Sequence, residues 1–131
     1  MAKGFRYKGK SFEELKAMNL AELAVIFPAR CRRSLKRGLT PQQKKFLEKL
    51  EKKELKGDKK PIKTQLRSMI VLPAMVNKTI QIHNGRAYTP IQITQDMLGL
   101  RLGDLNLTRT RVAHNAPGVG ATRSSSALSV K

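Results

Sequence analysis

The sequence predicts a small α+β domain, with N-terminal helices packed on a two- or three-stranded antiparallel sheet and extended basic arms at both ends. Three observations predict it. Capping signals with apolar residues at helical spacing recur up to about residue 56. Past residue 64 the pattern shifts to strand alternation, and Asn84-Gly85 lies between two alternating stretches. A length of 131 residues suits one compact domain with a tail or two. The organisation expected is a basic arm over 1–10, a helical region over 11–60, a sheet core over 61–107 and a basic tail over 108–131.

The first ten residues are basic and without periodicity, hence an extended arm. Ser11 then caps a helix with Glu14 at the third helical position, a reciprocal capping box. Asn19 and Glu22 repeat that signal, and Leu20, Leu23, Ala24 and Phe27 form one apolar helical face. Pro28 disfavours helical geometry at Phe27 and separates that helix from a short one ending before Gly38. Thr40, Pro41 and Gln43 open a third signal, with Phe46, Leu47 and Leu50 as its buried edge. The run 57–61 breaks this helix.

Met69-Ile70-Val71-Leu72 is a short apolar strand candidate ended by Pro73. Asn84-Gly85 as a two-residue type I′ loop pairs His83 with Arg86, Ile82 with Ala87 and Ile80 with Thr89. Alternation then places Ile80, Ile82, Ala87, Ile91 and Ile93 on one face, and Gln81, His83, Arg86, Tyr88 and Gln92 on the other. Thr94 to Met97 is a capped turn or one-turn helix closed by Gly99. Amphipathic periodicity ends at Asn106, and the run 116–127 has the composition of a segment disordered alone in water.

Charge points to the partner. Lys and Arg number 27 against 9 Asp and Glu, for a formal +18 and a pI near 10.8. Such a chain repels itself and belongs beside a polyanion. Residues 1–60 carry +11, residues 61–100 only +3 and residues 101–131 +4, so the flanks read as contact surfaces. No apolar run approaches the roughly 18 residues of a spanning helix, and the first ten residues lack a signal-peptide core. A lone cysteine excludes an intrachain disulfide. Two Tyr, four Phe and no Trp favour phosphate and shape recognition over serial base stacking.

Arg30, Arg32, Arg33, Lys36 and Arg37 place five positive charges in eight residues with no acid among them, and Arg30, Arg33 and Arg37 share a helical face. Ordinary solvated faces mix signs, so this one reads as a phosphate contact. The helix over 44–56 interleaves lysine with Glu48, Glu51 and Glu54 and reads mostly as solvated. Lys63, Arg67, Lys78 and Arg86 in the sheet region, with Tyr88 on the polar hairpin face, extend the candidate RNA-binding set. Arg109, Arg111, His114 and Arg123 among small residues suit a tail threading between RNA helices.

Chemistry finds little footing. Seven of the nine acids lie in residues 13–58, mostly within capping or Lys/Glu patterns, and no pair has acid–base spacing. Cys31 has basic neighbours able to lower its pKa but no nearby histidine as base. His83 and His114 are too isolated for zinc, and no P-loop or dinucleotide glycine pattern occurs. Neither enzyme nor cofactor is expected. A stand-alone DNA-architectural protein remains the alternative to an RNA binder.

The stretch Ile80 to Ile91, with Asn84-Gly85-Arg86, Leu98-Gly99, Leu102-Gly103-Asp104 and Thr108 at their spacings, resembles the S-nineteen family of small-subunit ribosomal proteins. Leu72-Pro73 and Met75-Val76 fit it too. The segment Pro28 to Thr40 and the ending from Ala116 resemble its archaeal–eukaryotic branch, called S-fifteen in eukaryotic counting. The resemblance covers nearly all the chain after residue 5. It implies a structural constituent of the small-subunit head bound to the 3′ domain of the rRNA, beside an S-thirteen-family protein. It further implies a tail reaching toward tRNA and the decoding region, a nearby bridge to the large subunit, and a cytoplasmic ribosome, with nucleolar assembly in a eukaryote. Ala74 stands where the family has an acid, Asn77 where glycine is common, and Leu105 in place of an aromatic; the last six residues lack the usual Phe.

Overall fold

A computed structural model describes residues 4–113. The chain opens with β1 (Arg6–Tyr7) and β2 (Lys10–Ser11), then four helices: α1 (Phe12–Ala17), α2 (Leu20–Ile26), α3 (Ala29–Lys36) and α4 (Pro41–Leu55). A second sheet follows, of β3 (Ile62–Thr64), β4 (Thr79–His83) and β5 (Tyr88–Gln92), with three 3₁₀ turns at Pro73–Met75, Gln95–Met97 and Leu102–Leu105. This is the α+β arrangement that the change of period predicts.

The helix starts follow local chemistry. Ser11, Asn19 and Thr40 each accept from the backbone N–H three residues on, while Glu14, Glu22 and Gln43 reach back to the cap N–H. Helix α2 buries Leu23 and Ala24 and runs into buried Phe27, whereas Leu20 at its first position stays exposed. The core lies between the helices and one face of the sheet: Leu15, Phe27 and Leu50 meet Ile80, Ile82 and Ile93, all essentially inaccessible to solvent.

Several expectations need correction. The N-terminal residues are not an extended arm where they are described. β1 and β2 pair antiparallel, with Lys8 and Gly9 both at positive φ in the turn, and Tyr7 packs edge-on against Phe27 at 5.9 Å. Met69 to Leu72 is not a strand of the sheet. It lies along residues 99–102 instead, with an isolated antiparallel bridge between Ile70 and Arg101. The third strand of this sheet is Ile62–Thr64, and it pairs parallel to β4, so within this sheet the antiparallel pair is β4 with β5.

The hairpin register is displaced by two. His83 pairs with Tyr88 and Ile80 with Ile91, leaving a four-residue loop, 84–87. Asn84 causes this: its side-chain oxygen accepts from the amides of both Arg86 and Ala87, an Asx turn that replaces the type I′ geometry. A two-residue shift preserves sidedness. The isoleucines therefore remain on the core face, while Ala87 falls in the loop and is exposed.

Candidate nucleic-acid interface

Helix α3 is short, and its two buried side chains, Cys31 and Leu35, sit one turn apart. That seam turns Arg30, Arg33, Lys36 and Arg37 outward, all exposed. Arg32 is different. Its guanidinium donates to the carbonyls of Ala24, Val25 and Phe27 at 3.1–3.4 Å, closing the C-terminal end of α2. The sequence reads Arg32 as a phosphate contact; in the structure its guanidinium is engaged by these three carbonyls. The row that faces outward thus has four cations and no acid.

Arg67, another member of the predicted set, is half-buried and also engaged by backbone carbonyls. Nη1 donates to His83 O at 2.7 Å, and Nη2 donates to Gly103 O at 2.8 Å and to Asn106 O. One guanidinium thereby ties the β3–β4 connection to the hairpin and to residues 103–106. Asn106, buried, donates to Ile82 O at 2.7 Å and locks the same junction. Lys78 Nζ is held by Glu54 at 2.9 Å, which joins α4 to β4 and lowers the Glu54 pKa, chiefly through that hydrogen bond and then through the charge itself.

Arg86 sits exposed at the hairpin tip, and the chain's return brings Arg109 alongside it, around an open cleft of about 460 Å³ that Asn84 and Thr108 also line. Arg111 is exposed two residues further on. Lys63 and Tyr88 meet on the outer face of the sheet, the ammonium 5.5 Å from the ring centroid, and Gln65 Nε2 donates to the Tyr88 hydroxyl at 3.1 Å. His83 packs against the same ring at 4.8 Å. His114 and Arg123 lie outside the described residues.

The thiol of Cys31 is buried and donates to Gly99 O at 3.0 Å. Burial pushes its pKa up; Arg101 and Arg30 oppose the shift and Asp104 adds to it. The sequence expectation of a basic neighbourhood lowering the thiol pKa is therefore reversed, because desolvation outweighs the nearby cations. Arg101 was not anticipated. It donates to Ser34 Oγ at 3.0 Å and fastens residues 101–104 to α3, a pairing across 67 positions that no spacing in the sequence announces.

Outward cations on α3, at the hairpin tip and on the outer sheet face make up the surface arrangement of the described residues. The family model for ribosomal protein S19 matches residues 33–114, more than half of the chain. The chain belongs to the ribosomal protein S19 family. Among its relatives are small ribosomal subunit protein uS19 of Picrophilus torridus, 49% identical over 99% of this chain and 83% of that protein, and uS19 of Thermoplasma volcanium, 47% identical over the same shares. The S19 family is one of structural ribosomal proteins of the small subunit, not of enzymes, so ribonucleoprotein and translation are its setting. Among the described residues no helix is long and apolar enough to cross a membrane.

The fold also accounts for family positions quoted above. Gly99 has φ +79°, and a Cβ there would lie 2.7 Å from Tyr7 Oη and 3.3 Å from Pro28 Cδ. A Cβ at Gly103 would lie 2.9 Å from Arg67 O, the carbonyl to which the Gly103 amide donates. Asn77, standing where glycine is common, has φ +64°, a conformation Asn tolerates better than other side chains do. Ala74 is exposed, so nothing in the fold demands an acid there. Leu105 is partly buried and packs against the core.

Proposed function

We propose that this chain binds and stabilises the 3′ domain of small-subunit rRNA in the subunit head. The observation that carries the reading is the outward row Arg30, Arg33, Lys36 and Arg37, exposed and free of acids. Guanidinium groups at this spacing can take successive phosphates bidentately, and the absence of neighbouring carboxylates leaves their charge for the polyanion. Arg86 and Arg109 at the hairpin tip, with Arg111 beyond, form a second contact area. The residues that follow in sequence, with His114 and Arg123, are proposed to reach toward tRNA and the decoding region. An S-thirteen-family protein and a large-subunit bridge are its proposed neighbours.

The test is binding of the full chain to a transcript of the rRNA 3′ domain, followed against salt, with duplex DNA of equal length as competitor. Arg30→Gln/Arg33→Gln/Arg37→Gln is expected to lower the slope of log affinity against log salt by roughly three units, about one per lost phosphate contact. Preference for the RNA transcript supports the reading. Equal affinity for duplex DNA, or a slope the triple variant leaves unchanged, overturns it in favour of the DNA-architectural alternative.

A further inference from the structure

We infer that α4 joins the RNA interface through a separate cleft, in which Lys45, Lys49 and Lys63 hold the phosphodiester backbone of an rRNA strand and Tyr88 donates to it. This rests on the proposed rRNA binding and adds a site to it. The helix has a mixed composition, but its charges are sorted by direction. Gln42, Lys45 and Lys49 recur at i, i+3 and i+7, so they share one face, and that face borders β3 and β5. With Lys63, Gln65 and Tyr88 they enclose a surface cleft of about 520 Å³.

None of the three α4 glutamates lines the cleft. Glu54 is bound to Lys78, and Glu51 faces an apolar groove beside Leu20 and Leu72. Among the described residues, Lys45, Lys49 and Lys63 make no ion pair. The neutral groups are also set for an anion. Tyr88 oxygen accepts from Gln65, so its own hydroxyl proton remains to be donated.

The walls argue for nucleic acid over protein. A protein partner would need an apolar centre to the contact. Phe46 in the cleft floor is buried, Leu66 is half-buried, and none of the exposed large hydrophobics (Leu20, Val25, Leu55, Leu100, Leu107, Val112) borders it. Point charges with amide and hydroxyl donors around a polar hollow match phosphate oxygens.

The experiment compares two pairs of exposed lysines, one in the cleft and one away from it, in the full chain, with the rRNA 3′-domain transcript as probe. Lys45→Gln/Lys49→Gln is expected to lower the salt slope by roughly two units, and Lys16→Gln/Lys44→Gln, away from the cleft, by much less. Tyr88→Phe should weaken binding several-fold at an unchanged slope, because the lost donor is uncharged. If the two lysine pairs behave alike while the α3 triple variant still lowers the slope, the cleft is overturned and rRNA binding stands. If neither the α3 variant nor the cleft pair alters binding, both fall. Crosslinks from Lys45 and Lys49 to nucleotides in assembled subunits support the assignment; crosslinks to an acidic protein segment overturn it.

Discussion

Arg67 donates to three carbonyls on two separate stretches of chain, and no other side chain can span them with one rigid fork. Arg67→Gln should therefore cost about 3 kcal/mol in urea unfolding, given about 1.5–3 kcal/mol for a hydrogen bond to a charged group and the unpaired carbonyls left behind. Its RNA salt slope, measured where the variant is folded, should match the parent. A slope lowered by a full unit would return Arg67 to the interface. The glycines offer a second test. Gly99→Ala should lose about 1–3 kcal/mol, since it adds left-handed strain to a clash with Tyr7 Oη. Asn77→Gly, also at positive φ, should shift the midpoint little. Cys31 supplies the pH dependence. Its folded pKa is raised, so the buried thiol's contribution is fully present below the unfolded thiol pKa and is lost as pH rises through the folded value. Stability should fall through the alkaline thiol range, and Cys31→Ala should flatten that fall from a lower starting point; Tyr7, also raised by burial, keeps a residual slope in both. At this scale the sequence could name the cations but not sort them. Arg32 and Arg67 look like Arg33 on paper, and only the carbonyls they meet in the fold set them apart.

At the scale of elements, legibility followed locality. The three capping boxes were readable because donor and acceptor lie three residues apart, and the helices began where they indicated. The hairpin was readable in its sidedness, which needs only alternation, but not in its register. Asn84 was read by backbone preference, while its side chain made the turn through two accepted N–H bonds. Asn84→Asp keeps that acceptor and should leave stability nearly unchanged. Asn84→Ala should cost about 1–2 kcal/mol by thermal or urea unfolding, the range for a lost side-chain cap of this kind. An Ala variant as stable as the parent would show that the Asx turn does not hold the loop. The strand β3 is not legible in the sequence, because three residues, Ile62-Lys63-Thr64, carry too little alternation and the parallel partner lies 18 positions away, Ile62 opposite Ile80. The summed charge of α4 says little about Lys45 and Lys49; only sorting the helix by face separates them from Glu51 and Glu54.

For the whole molecule, a formal +18 sits on a chain with just two ion pairs among its described residues, Lys53–Asp58 and Lys78–Glu54. Repulsion between cations therefore outweighs what screening takes from those pairs, and salt should stabilise the free protein. We expect the thermal midpoint to rise between low and moderate salt while RNA affinity falls over the same range. A midpoint that drops with salt would mean attractive surface pairs dominate. The α+β class and the basic character were legible in composition and period. The long-range closures were not: Cys31 to Gly99 and Ser34 to Arg101 join positions 68 and 67 apart, and no local signal pairs them. Those closures have a temporal consequence. A chain made from its N-terminus completes α3 long before residues 99–101 exist, so Cys31 waits without the carbonyl that will accept its thiol. Stalled nascent chains ending near residue 90 should expose it to a thiol-modifying reagent, and chains with residue 106 clear of the exit tunnel should shield it, making this one cysteine a clock for when the newly synthesised fold closes.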